Sequence, residues 1–233
     1  MFDLFTILYE GNYKFFFDEK KWFWVFNNKN LNSKILVINN LDSLDDLNNK
    51  IEDFKRKFEF SVVYVTKNKF IDFGVDYDAF RTSSIYSSPY FTMIERCDSE
   101  FLFCVNEDCM NNLYISEEYV ENSIKTLISN ENCFFTTVSW SDVENTGLHE
   151  MLNCNLDLHE TEFFYPSNGF SDQLFFCNIE KIKLINFNSK SHPYLGPKYC
   201  ENMCFEKKVM DFFKTYVKYR MIYKGKDYYI HNK

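Results

Sequence analysis

The residues best suited to chemistry in this chain are acids that close an apolar run. Phe101-Leu-Phe-Cys-Val105 leads straight into Asn106-Glu107-Asp108. Carboxylates at the end of a buried strand can hold Mg2+ or Mn2+, hard ions that take oxygen ligands and bridge to substrate phosphates. The competing reading is a solvated polar turn. Asp76-Tyr77-Asp78 is a second acidic pair, but it follows a loop-like stretch rather than a strand. With Asp108 it would suit a metal-dependent phosphotransferase or nuclease. Ser171-Asp172-Gln173 supplies another acid, and there Ser171 or Asp172 could instead cap a helix starting at Gln173. The eight cysteines form no Cys-x-x-Cys pair, and their spacing fits no zinc knuckle or ribbon. Cys104, Cys133 and Cys177 lie inside apolar runs, as small hydrophobes. Cys200 and Cys204 would share a helix face, yet two ligands do not make a metal site. All eight are expected to be reduced, which predicts a cytoplasmic location. No P-loop, Gly-x-Gly-x-x-Gly or Gly-x-Ser-x-Gly occurs.

These groups need elements to hold them. Leu4–Tyr9, Lys34–Asn39, Phe60–Thr66, Phe101–Val105 and Cys133–Trp140 are short apolar runs that read as strands. Phe15–Phe26, with Trp22 and Trp24, reads as an aromatic strand or packing edge. Leu41–Phe58 reads as a helix capped by Ser43, with Leu44, Leu47, Ile51 and Phe54 on its buried stripe. Ala79–Arg96 reads as a helix interrupted at Pro89. Ser116–Ser129 reads as a helix capped by Ser116, with Glu117 and Glu118 at its positive end. Beyond Trp140 the pattern weakens. A short strand is expected at Glu162–Tyr165, a capped helix or turn from Ser171 to Leu184, a helix over Lys198–Tyr219, and a strand or tail over Tyr223–Ile230. Strands alternating with helices predict an α/β domain around a mixed, mostly parallel sheet. No internal break in composition appears, so residues 1–233 are expected to form one domain.

Composition excludes several classes. Of 233 residues, 45% are hydrophobic and 20% aromatic, which gives ample core for a folded domain. No apolar run reaches the roughly 18–20 residues needed to cross a bilayer. The N-terminus lacks the basic start and cleavage site of a signal peptide. The formal net charge of −8 gives no global attraction for nucleic acid or an anionic membrane. Lys207, Lys208, Lys214, Lys218 and Arg220 form the clearest basic cluster, expected to be a solvated helix face.

Taken together, the strand ending in Asn106-Glu107-Asp108, the Arg81-bearing helix before it and the later Gly169-Phe-Ser-Asp-Gln-Leu-Phe-Phe176 segment resemble the GT-A glycosyltransferases. The resemblance implies transfer of a sugar from a nucleoside-diphosphate sugar, UDP- or GDP-linked, to a saccharide acceptor. It maps Asn106-Glu107-Asp108 onto the family's Asp-x-Asp, with Asn in place of the first acid. It implies Asp108 as the main ligand of Mn2+ or Mg2+, with Asn106 and Glu107 beside the donor. His192, in Ser191-His-Pro-Tyr-Leu-Gly-Pro197, becomes a further metal ligand, with His231 as its rival. Arg81 would meet the diphosphate, Tyr9 or Tyr13 would stack on the base, and Asp172 would deprotonate the acceptor hydroxyl. Residues 1–110 would then be the nucleotide-sugar half and 111–233 the acceptor-side half. The Asn in place of an acid also fits a non-catalytic nucleotide-sugar or glycan-binding relative.

Overall fold

Apolar runs too short for helices account for most of the framework. The computed structural model describes residues 1–9, 16–18, 20, 22, 28–39, 47–65, 72–75, 84–106, 109, 115–139, 160–188, 204–225 and 227. Within them, eight strands form one sheet: β1 (Phe2–Leu8), β2 (Leu31–Ile38), β3 (Ser61–Tyr64), β4 (Phe101–Val105), β5 (Cys133–Thr137), β6 (Phe164–Ser167), β7 (Leu174–Asn178) and β8 (Tyr219–Tyr223). Their order is β3-β2-β1-β4-β7-β5-β8-β6. The β3-β2-β1-β4 half is wholly parallel, as is the β5–β8 pair. β7 runs antiparallel to both of its neighbours, β4 and β5, and β6 runs antiparallel to β8. The expected mixed α/β sheet is therefore present.

Helices cover both faces. On one side lie α1 (Asn48–Phe58) and α3 (Glu117–Ser129); on the other lie α2 (Ser84–Arg96), the single turn α4 (Ile179–Ile182) and α5 (Phe205–Tyr216). Alternation along the central strands feeds both layers. Phe101, Phe103 and Val105 of β4 pack with Leu174 and Phe176 of β7 on the first face, and Leu102 and Cys104 pack with Phe175 and Cys177 on the second. A strand apolar at every position is what burial on two faces requires. α1 buries Ile51, Phe54 and Phe58. The Phe54 ring lies 4.8 Å from Phe16 and 5.2 Å from Trp22, and truncating such a ring costs about 3–5 kcal/mol.

Several expectations need correction. α1 begins after Leu47, which carries no side-chain cap, and Ser43 lies outside the described residues. The stretch from Ser171 enters strand β7 rather than a helix, because Leu174-Phe-Phe-Cys177 fills the gap between β4 and β5; helix follows only at Ile179, capped by the Asn178 side chain. α5 stops at Tyr216, where Val217 takes a left-handed φ of 54°, and Tyr219–Tyr223 is a strand, not the end of a helix. Cys204 precedes α5 as its N-cap, and Cys200, expected on the same helix face, lies outside the described residues. The basic cluster is not a uniformly solvated face: Lys208 and Arg220 are buried, at 3% and 5% exposure. Among the described residues, no helix is long and apolar enough to cross a membrane.

Candidate active site

In an open α/β sheet, ligands bind at the edge where parallel strands end. Here that edge carries Tyr9 after β1, Asn39 after β2 and Asn106 after β4. Because β7 is reversed, the residues entering it, Asp172 and Gln173, arrive at the same edge. The Asn106 backbone N–H donates to the Gln173 carbonyl at 2.8 Å, and the Thr137 hydroxyl at the end of β5 donates to the Leu174 carbonyl at 2.9 Å. The entry to β7 is thus tied to the ends of both flanking strands.

A tight polar triangle sits there. Asn106 Nδ2 donates to the Tyr90 hydroxyl at 3.0 Å and to the Asp172 carbonyl at 3.1 Å. The Tyr90 hydroxyl donates to that same carbonyl at 3.2 Å. Tyr90 comes from α2 and is held by stacking on Phe205 of α5, with ring centroids 4.5 Å apart and 15° between planes. Burial, reinforced by the Asp172 charge, pushes the Tyr90 phenol well above its ordinary range, so it stays a neutral donor. Cys204, at the start of α5, is likewise raised by burial and then by Asp172. The Phe205 amide at that helix start donates to Ser87 Oγ of α2 at 3.0 Å. Asp172 itself is half-buried.

A second cluster lies at the same edge, where β8 ends. Ser116 caps α3 by accepting from the Tyr119 amide at 3.1 Å, as the sequence predicts. Asp227 accepts from the Ser116 amide at 3.0 Å and from its hydroxyl at 2.6 Å. Burial raises the Asp227 carboxyl despite those two bonds.

Of the residues singled out from the sequence, Asn106 and Asp172 are in direct contact, and Tyr9 lies on the same edge, half-buried against the α2 face. Arg81, Glu107, Asp108 and His192 lie outside the described residues, as do Tyr13, Asp76, Asp78 and His231. Among the described residues, no group of three or more His, Cys, Asp or Glu side chains could hold a metal ion. Sequence reasoning passed over Tyr90, Ser87 and Asp227. Nothing in their local spacing marks them: Tyr90 meets Asp172 82 residues on, Asp227 meets Ser116 111 residues back, and Ser87 meets Phe205 118 residues on.

No family model and no curated relative matches this chain. Solved structures do. Residues 1–349 of S. aureus TarS in complex with UDP-GlcNAc superpose with a TM-score of 0.53 at 12% identity, over 100% of this chain and 59% of that one. An active-site Gln→Glu mutant of LgtC gives 0.53 at 9% identity, over 97% and 72%. The mannosyltransferase from Pyrobaculum calidifontis, in complex with GDP-Man and Mn2+, gives 0.50 at 10% identity, over 98% and 56%. This chain therefore spans about six tenths of the TarS fragment and of the mannosyltransferase. At such identities the likeness is one of architecture. The chain has the GT-A fold of the nucleotide-sugar glycosyltransferases.

Proposed function

We propose that this chain is a glycosyltransferase that moves a sugar from a nucleoside-diphosphate sugar to a saccharide acceptor. The observation that carries the reading is the meeting of Asp172 and Asn106 at the strand-end edge of a GT-A sheet, the edge at which β1 leads into Tyr9. In this reading Asp172 is the general base: its carboxylate takes the proton from the acceptor hydroxyl as that oxygen attacks the anomeric carbon and the nucleoside diphosphate leaves. Tyr9 stacks on the nucleobase, and Arg81 and Glu107 meet the donor. Asp108 and His192 would hold Mn2+ or Mg2+, which neutralises the leaving diphosphate when bound. Residues 1–110 form the donor half and 111–233 the acceptor half. The free thiols of Cys97, Cys133, Cys177 and Cys204 support a cytoplasmic setting.

The test is nucleotide release from a panel of UDP- and GDP-sugars with saccharide acceptors and Mn2+. Wild type should release nucleotide, and Asp172→Ala and Asp108→Ala should each lose most turnover. Unchanged turnover in both variants removes the site. A second reading, a non-catalytic nucleotide-sugar binder, is favoured by Asn106 standing where the family has an acid. It predicts donor binding by calorimetry with no release from any sugar nucleotide.

A further inference from the structure

We propose that Asn106 and Tyr90 form a positioning pair that fixes the Asp172 backbone, and that position 106 requires an amide because it must donate there. The proposal goes beyond the transferase reading; only its catalytic consequence rests on Asp172 being the base.

The geometry of the triangle leaves little choice of roles. The Asp172 carbonyl is acceptor only, and it receives two donors, Asn106 Nδ2 at 3.1 Å and the Tyr90 hydroxyl at 3.2 Å. The Tyr90 hydroxyl has one proton, which the Asp172 carbonyl or the Asp172 side chain beside it accepts, and it takes the other Nδ2 proton of Asn106 at 3.0 Å. Both amide protons of Asn106 are therefore used inside the protein. Its Oδ1 is on the far side, 3.9 Å from the Cys104 thiol, a weak donor. Flipping the amide would set its oxygen against the Asp172 carbonyl, which fixes the orientation. The side chain is buried, at 8% exposure, so water does not substitute for these contacts.

A carboxylate at position 106 would present acceptors only. It would face the Asp172 carbonyl without a proton between them, in a site from which water is largely excluded, and the negative charge of Asp172 is close by. Asparagine at this position is thus not a weakened acid. It is the residue that lets β4 and the entry to β7 be pinned to α2 through one phenol. Tyr90 is anchored in turn by its stack on Phe205 and its 6.2 Å approach to Phe175. The pair connects α2, β4, β7 and α5 at the point where Asp172 leaves the sheet.

The experiment compares the full chain with Asn106→Ala, Asn106→Asp and Tyr90→Phe. Unfolding midpoints in denaturant are measured first, with no ligand added. The expected order is wild type, then Asn106→Ala, then Asn106→Asp as the least stable, because alanine only removes donors while the acid opposes two acceptors. Tyr90→Phe keeps the ring stack, so it should fold with a slightly lowered midpoint. A double variant of Tyr90→Phe with Asn106→Ala should fall short of the summed losses, as residues sharing one network do. An Asp variant as stable as wild type, or more stable than the Ala variant, overturns the proposal. Turnover is measured second. Tyr90→Phe should lower kcat by about tenfold, in the range seen when a reacting group is misplaced, with the donor KM within about twofold. Equal kcat and KM in Tyr90→Phe and wild type would overturn the catalytic consequence. If wild type turns over no sugar nucleotide, the transferase reading falls, while the order of midpoints still decides whether the pair positions Asp172.

Discussion

The two edges of the sheet use buried polar groups in opposite ways. At the edge where the parallel strands begin, Asp3 accepts five hydrogen bonds: Asn32 Nδ2 at 2.9 Å, Ser33 Oγ at 2.7 Å, Ser99 Oγ at 2.9 Å, and the backbone amides of Asp98 and Ser99 at 2.9 Å each. Lys181 on the same edge donates to the carbonyls of Leu127, Asn130 and Cys133 at 2.6, 2.6 and 2.8 Å. Each charge there is consumed in tying chain segments together. At the opposite edge Asn106 and Tyr90 hold the Asp172 carbonyl, and the half-buried Asp172 side chain lies beside the Tyr90 phenol. The lesson is that one edge makes a charge the hub of its clamp, whereas the other clamps a charged residue through its backbone carbonyl.

This contrast can be broken by experiment. The largest effect is expected at Asp172. Asp172→Asn should lower kcat by roughly 10²–10⁴-fold in a nucleotide-release assay, the usual worth of a general base, with the unfolding midpoint little changed. A parallel loss of stability would make the two edges alike. Next is Asp3→Ala, which strands several buried donors and should cost about 3 kcal/mol in denaturant unfolding. The turnover of the fraction that remains folded should stay near wild type. The pH dependence sharpens this case. Burial raises the Asp3 carboxyl, but the bonds from Ser33, Asn32 and Ser99 outweigh it and hold the folded group below its ordinary value. Its stabilisation is therefore complete above the unfolded carboxyl range near pH ~4 and is lost as pH falls through the lower folded value. The gap between wild type and Asp3→Asn should narrow on acidification, and a gap that widens instead would contradict the depressed carboxyl.

Lys181→Met should cost less, about 1–2 kcal/mol, since it leaves the last turn of α3 and the start of β5 short of one shared donor. Differential hydrogen exchange at Asn130 to Cys133 would report it. The smallest effect is expected away from both edges. Arg56 and Asp53 pair at 2.6 Å on α1, but their side chains are 82% and 72% exposed, so Arg56→Ala should leave the midpoint unchanged within error.

Much of this arrangement was legible from the residues. Phe101–Val105 announced a central strand because it is apolar at every position, and Ser116 announced a helix start because two acids and an apolar stripe follow it. The entry to β7 was harder. Leu174-Phe-Phe-Cys177 is a short apolar run, and periodicity alone does not separate a buried strand from a helical segment of that length. The sheet decides it, by offering a slot between β4 and β5. Tyr219–Tyr223 was masked by the helix before it, whose end depends on Val217 adopting a left-handed backbone that β-branched residues rarely take. At the site, Asn106 and Asp172 could be picked out by their neighbours in sequence. Tyr90 could not, because its role exists only once α2 lies over the strand ends.

One consequence follows from the reversal of β7. Its leading end is clamped from both sides, by Asn106 and by Thr137, while Asn168 to Ser171 cross from β6 to reach it. That short bridge is itself part of the core, because Phe170 is buried against Phe135, Phe175 and Phe213. A residue inserted there would have to unseat that ring or shift Asp172 along the edge, so the bridge is as fixed in length as the clamp it leads into.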